Sequence, residues 1–155
     1  MKRTLGDFAA VSGGTLYGVD RVFDDVCSDT RNLQPGELFV ALRGPRFDAK
    51  QFISNAAAAG AVGAVVEARQ DADLAQIVVP DSLAALTTAA SVWRGQFHLP
   101  VVGVAGSNGK TTVKEMTAAI LGHAGACLAT RGNLNNHIGV PLTLLRLAAE
   151  HRFAV

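Results

Sequence analysis

At 155 residues, with 49% apolar and 17% charged side chains and a formal net charge of +1, the chain can bury one moderate core or two small ones and is too apolar for disorder. With no Lys/Arg cluster and no interleaved aromatics, the composition excludes a nucleic-acid surface. No window approaches the ~18 uninterrupted apolar residues of a membrane span, and the stretch from Met1 to Val11 lacks the apolar core of a signal peptide, which points to the cytoplasm.

The first segment with chemistry is Cys27-Ser28-Asp29-Thr30-Arg31, followed by the turn Pro35-Gly36 and a run ending in Arg43-Gly44. Ser28, Thr30, Arg31 and Arg43 offer donors for an anionic or nucleotide-like group. Asp29 with Arg31 reads equally well as a surface ion pair. Cys27 and Cys127 lie far apart without C-x-x-C or Cys/His spacing, so they indicate buried thiols rather than a zinc site or a disulfide.

Strand-like and helix-like runs then alternate. Glu37 to Arg43 reads as a strand, Gln51 to Gly60 as a helix, Val62 to Glu67 and Gln76 to Val79 as strands, and Asp81 caps a helix with Leu83, Leu86, Ala90, Trp93 and Phe97 at spacings of three and four. This is an α/β pattern. The alanine run Ala56 to Ala59 suits close packing of a helix on the sheet, and Trp93 reads as core. Pro100 disfavours helix at the residue before it and closes the unit, giving a first domain over residues 1–98 and a second over 99–155.

The second domain opens on V-V-G-V-A-G-S-N-G-K-T-T, residues 101–112. Val101, Val102 and Val104 suit a buried parallel strand, and Gly106 and Gly109 allow backbone N–H groups to approach an anion. Lys110 adds charge and Thr111 a hydroxyl, the residue types that hold β/γ-phosphates and Mg²⁺ in a Walker A loop. The strict pattern G-x-x-x-x-G-K-S/T needs glycine at 104, where this chain has Val104. The loop is therefore a variant, and a strand-turn-helix connection without a ligand remains the alternative. Val113, Met116, Ile120 and Leu121 form an apolar stripe on the following helix, which ends at Gly122 or Gly125, before a strand over Ala126 to Thr130. The segment from Thr130 to Pro141 carries Asn133, Asn135 and Asn136 in a polar loop at that strand's C-terminal end, where α/β sheets bind ligands. Pro141 fits the first position of a helix with Leu142, Leu145 and Ala149. His137 reads as a capping or surface residue. Residues 101–155 carry five Lys/Arg against two Asp/Glu, a basic excess that suits a phosphate ligand.

Together, G-S-N-G-K-T-T-V-K-E-M, T-R-G-N-L-N-N-H-I-G-V-P-L-T-L-L, S-D-T-R and G-E-L-F-V-A-L-R-G-P-R-F-D resemble the Mur ligases of peptidoglycan synthesis. The resemblance runs from about Cys27 onward. The G-N-x-N-N-x-I-G-x-P segment points to the member that adds D-alanyl-D-alanine. It implies an N-terminal α/β UDP-substrate domain followed by the first part of a P-loop ATP-binding α/β domain. The implied enzyme is a cytoplasmic, monomeric, ATP- and Mg²⁺-dependent ligase. It joins D-alanyl-D-alanine to UDP-N-acetylmuramoyl-tripeptide through an acyl phosphate, without nucleic acid or membrane insertion.

On that resemblance Gly106, Ser107, Asn108, Gly109, Lys110, Thr111 and Thr112 bind ATP. Lys110 is catalytic and Thr111 a Mg²⁺ ligand. Ser28, Asp29, Thr30, Arg31, Arg43 and Gly44 hold the uridine diphosphate, while Asn133, Asn135 and Asn136 sit where ATP and the UDP-substrate meet.

Two departures stand out. The family's F-D-G-H-x-F reads Phe47-Asp48-Ala49-Lys50-Gln51-Phe52 here, and the chain stops at Val155 in a strand-like run, before the family's acidic Mg²⁺ ligand, modified lysine and third domain. The expectation is no ligase turnover by these 155 residues alone. A member adding a single amino acid, a P-loop phosphotransferase and a non-catalytic nucleotide-binding module are the alternatives.

Overall fold

The Val-, Ile- and Ala-rich runs before residue 80 are apolar on both faces, the pattern of strands covered from two sides. In the computed structural model, which describes residues 3–43, 49–132 and 134–155, they form the middle of a five-stranded sheet. The chain divides into two units, one reaching to Ala89 and one from Ala90 to Val155.

The first unit runs β1 (Arg3–Thr4), α1 (Leu5–Ser12), β2 (Thr15–Tyr17), β3 (Val22–Phe23), β4 (Val26–Cys27), β5 (Leu38–Val40), α2 (Ala49–Ala58), β6 (Gly63–Val66) and β7 (Gln76–Val78), then enters α3 (Ser82–Gly95). The sheet order is β2-β7-β6-β5-β4. β4, β5, β6 and β7 are parallel, with Cys27 opposite Phe39, Phe39 opposite Ala64 and Val65 opposite Ile77, and β2 closes one edge antiparallel to β7. β1 and β3 make a separate antiparallel pair.

Leu38, Val40, Val65 and Ile77 have no accessible surface. The alanine run does what its small side chains allow: Ala56 is fully buried with Ile53 against Phe39, Ala64 and Val66, so α2 lies close on the sheet. α1 begins at Thr4, whose hydroxyl accepts the Asp7 N–H at 3.1 Å, and ends at Gly13, whose φ of 68° is left-handed. At the start of α3, Asp81 Oδ1 accepts the N–H groups of Leu83 and Ala84, both at 2.8 Å.

The second unit contains the end of α3, then α4 (Lys110–Gly122), β8 (Cys127–Leu128), α5 (Gly139–Leu145) and β9 (Phe153–Ala154). β8 and β9 are parallel, and Val101 bridges to Ala154 in parallel on the far side of β9. Leu128, Leu147 and Ala154 form a small core with Trp93 and Phe97 packed against it. Trp93 is half-buried and packs against this core from the stripe of α3, and its Nε1–H donates to the Leu147 carbonyl at 3.0 Å.

Four expectations change here. The strand over 101–104 is reduced to one bridge and the bond from Val102 N–H to Ala154 O, because this segment pairs on one side only; Val101 and Val102 are 42% and 39% exposed. The strand over 126–130 shortens to Cys127–Leu128. The stripe Val113, Met116 and Ile120 points outward, 50% to 69% exposed, and the buried side of α4 instead carries Lys114. Pro141 occupies the third rather than the first position of α5, still within the first turn, where its missing N–H removes no helical bond.

Asp81→Ala should lower stability by about 1 kcal/mol, the usual value of an N-cap carboxylate. Urea unfolding followed by circular dichroism checks this, and Asp81→Asn, which keeps the accepting Oδ1, should recover most of the loss; an unchanged midpoint in the alanine variant would remove the cap from the account of α3.

Candidate functional site

The phosphate-loop reading rests on backbone geometry, and the structure supplies it. Gly106 and Gly109 have φ of 149° and 76°, conformations that side chains rarely adopt. A Cβ on Gly109 would meet nothing within 4 Å, and one on Gly106 only the Asn108 carbonyl at 3.8 Å, so conformation rather than crowding requires glycine there. Residues 105–109 are exposed. α4 starts directly at Lys110 with Gly109 as its N-cap and no side-chain cap, which leaves the first-turn N–H groups and the positive end of the helix dipole facing the loop.

Lys110 Nζ donates to the Gly106 carbonyl at 2.6 Å and lies 3.4 Å from that of Ser107. Its ammonium therefore sits over the loop. Lys110 and Thr111 line a cavity of about 230 Å³ together with Lys114, Thr130, Gly132 and Asn135. Open backbone donors, an uncapped helix start, an ammonium and a hydroxyl suit a polyphosphate. Among the described residues no three His, Cys, Asp or Glu cluster as metal ligands. A magnesium ion held mainly by phosphate oxygens and water, with Thr111 as its ligand from this chain, is compatible with that set.

The asparagines divide their roles. Asn136 Oδ1 accepts the N–H groups of Ile138 at 3.1 Å and Gly139 at 2.8 Å, so its side chain starts α5. Asn135 lines the cavity. Asn133 lies outside the described residues. Gly139 is needed for close approach: a Cβ there would stand 2.4 Å from the Leu134 backbone. His137 is exposed, in keeping with a surface residue.

In the first unit, parallel pairing sends the C-terminal ends of β4, β5, β6 and β7 to one edge of the sheet. Ser28 to Arg31 follows β4 and Arg43 follows β5 on that edge; Gly44, like Phe47 and Asp48, lies outside the described residues. Ser28 and Thr30 are half-buried. Asp29 and Arg31 engage each other, with Arg31 Nε 2.9 Å and Nη2 2.6 Å from the two carboxylate oxygens and the Arg31 N–H bonded to Oδ1 at 3.0 Å. Both thiols are free; burial pushes Cys27 and Cys127 up, away from thiolate chemistry.

Two functional candidates escaped the sequence reading. Glu67, at the end of β6, places Oε2 2.6 Å from Arg43 Nε and accepts the Ser82 N–H on Oε1 at 3.2 Å, so it orients Arg43 from the start of α3. A lone acid closing the apolar run Val62 to Val66 was the available signal. Lys114 is the other, and its side chain is only 9% exposed. A larger cavity of about 360 Å³ opens where β6 and β7 begin, beside Tyr17, Arg69 and Gln76. It contains none of the predicted residues and lies at the sheet end opposite the ligand edge of α/β folds.

Comparison with known proteins finds a likeness that runs the length of the chain. Residues 104–155 match the model of the Mur ligase middle domain. The chain is 50% identical over 152 residues to the UDP-N-acetylmuramoyl-tripeptide–D-alanyl-D-alanine ligase of Escherichia coli K12, covering 98% of this chain and 34% of that protein. A solved D-alanyl-D-alanyl ligase from Acinetobacter baumannii superposes with a TM-score of 0.90 at 38% identity, over 100% of this chain and 36% of the other. MurF ligase from Thermotoga maritima in complex with ADP gives 0.70 at 32%, over 84% and 31%. The chain thus spans about a third of the length of the relatives it matches.

Arg31, through its side-chain hydrogen bonds, holds the Asp29 carboxyl below the usual carboxylate range. A folded-state pKa below the unfolded one stabilises above the ordinary carboxylate range, and the contribution is lost as pH falls through the depressed value. The pair is exposed, so the effect on stability is small. NMR titration of the Asp29 carboxyl should show the depression, and Arg31→Ala should raise the midpoint toward that of a free aspartate; an identical titration in both proteins would contradict the assignment.

Proposed function

We propose that this chain, a Mur ligase in sequence and fold over the residues it spans, supplies the UDP-substrate unit and the phosphate loop of an ATP-dependent ligase that joins D-alanyl-D-alanine to UDP-N-acetylmuramoyl-tripeptide. The observation that carries this reading is the shared cavity of Lys110, Thr111 and Asn135, which joins the phosphate loop to the asparagine loop.

In this reaction an oxygen of the peptide carboxylate attacks the γ-phosphorus of ATP, ADP leaves, and an acyl phosphate forms. The amine of D-alanyl-D-alanine then attacks the acyl carbon, inorganic phosphate leaves with the C–O bond, and the nitrogen gives up a proton. Phosphorylation turns a poor leaving group into a good one. Lys110 gives up its bond to the Gly106 carbonyl for phosphoryl oxygens, and the free N–H groups at the start of α4 take others, so positive charge faces the charge that develops on transfer. Gly106 to Thr112 make up the ATP site. Thr111 would hold Mg²⁺, which would supply neutralisation of phosphate charge.

Residues 1–98 form the UDP-substrate domain in this proposal and 99–155 the first part of the ATP domain. Ser28, Asp29, Thr30 and Arg31, with Arg43 and Gly44, bind the uridine diphosphate, and Asn133, Asn135 and Asn136 serve the junction of the two substrates. Arg43, oriented by Glu67, is the strongest anion donor of that set. Among the described residues no helix is long and apolar enough to cross a membrane, and a cytoplasmic, monomeric enzyme is the accompanying proposal.

The 155-residue chain should bind MgATP, and Lys110→Ala should weaken that binding about 30- to 100-fold, the value of a charge-assisted bond to phosphate. Isothermal titration checks it; equal affinity in both proteins would sink the role given to Lys110. In a full-length ligase containing this chain, MgATP with both proposed substrates should yield amide, ADP and phosphate in equal amounts. A stable phosphorylated product would favour a phosphotransferase instead, and nucleotide binding without any product would favour a binding module.

A further inference from the structure

Among the described residues Lys114 is the one charged residue in the buried class, at 7% exposure. An ammonium out of water needs partners. Lys114 Nζ donates to the Thr130 carbonyl at 2.5 Å and pairs with Glu115 Oε1 at 2.7 Å. Glu115 is a solvated partner, its side chain 63% exposed. The Thr130 carbonyl is part of the backbone that leads into the asparagine loop.

Thr130 is itself fixed, since its N–H and its hydroxyl both donate to the Val155 carbonyl, at 2.9 and 3.2 Å. Lys114 stands one helical turn after Lys110, on the same side of α4. Both line the cavity that Thr111, Thr130 and Asn135 share. Lys114 thus connects the helix that carries the phosphate loop to the strand end that carries Asn135.

We propose that Lys114 is a positioning residue: its buried ammonium clamps the Thr130 carbonyl, holds the Asn135 loop at the rim of the phosphate cavity, and transmits occupancy of the phosphate loop by a nucleoside triphosphate to that loop. The transmission rests on the nucleotide reading above; the clamp does not. Removing the donor while keeping the bulk leaves the carbonyl without its cation and frees the loop to move away from α4.

The test is amide hydrogen exchange followed by NMR on the 155-residue chain. Without ligand, Lys114→Met should speed exchange about tenfold at Leu134, Ile138 and Gly139, as expected for loss of one anchoring bond, while Thr117 in the middle of α4 stays within about twofold. Lys114→Arg, which keeps a donor, should restore the slow rates. With saturating MgATP the unmodified chain should slow exchange both in residues 106–112 and at Leu134, Ile138 and Gly139, whereas Lys114→Met should slow only residues 106–112. Unchanged ligand-free exchange in Lys114→Met would overturn the clamp, and equal MgATP protection of the asparagine loop in both proteins would overturn the transmission. No MgATP response anywhere in the unmodified chain would overturn the nucleotide reading and the transmission together, while the ligand-free comparison still decides the clamp. If Lys114→Met does not fold, Lys114→Gln, with a shorter donor, is read against Lys114→Arg by the same criteria.

Discussion

Parallel strand pairing is the constraint on which the candidate sites depend. Four consecutive strands of the first unit run the same way, so every segment leaving β4, β5, β6 and β7 emerges at one edge. That is why Ser28 to Arg31, Arg43, Glu67 and the start of α3 lie along a common rim although the sequence separates them by helices. The second unit repeats the rule with β8 and β9, whose ends hold Thr130 and Val155 side by side. Chemistry gathers at such edges because backbone groups there are not consumed by the ladder.

On that scaffold, two kinds of cation act differently. Lys110 and Arg43 keep much of their side chains within reach of solvent or cavity, so they are available to an incoming anion. Arg31 is likewise exposed although paired with Asp29, whereas Lys114 is buried against the Thr130 carbonyl. A buried cation shapes the site; an exposed one can exchange its partner for an anion. The same division separates Asn136, which starts α5, from Asn135, which faces the cavity.

Much of this was legible in the residues. The Asp81 cap, the close-packed alanine helix, the Trp93 packing and the glycine turn before Lys110 all depend on local rules, and each has the geometry those rules predict. Of the elements before residue 26, none of which was read, β1, β2 and β3 are two or three residues long and carry no periodicity to detect, and α1 spans only eight residues. The strand over 101–104 was read too long, because β-branched residues favour extended backbone but only a neighbour on each side makes a buried strand. The apolar stripe of α4 was read correctly as a stripe, yet a pattern does not state which face the protein covers.

The sequence alone carried the reading of a phosphate loop. A glycine turn with left-handed backbone followed by Lys-Thr at a helix start can be recognised without coordinates, because conformation, charge and dipole there come from neighbours in the chain. Only the tertiary structure decided which side chains remain available. Whether Arg43 meets Glu67, Lys114 reaches Thr130 or Asn136 turns back on Gly139 depends on groups brought together by strand pairing and close packing, over distances that no local pattern encodes.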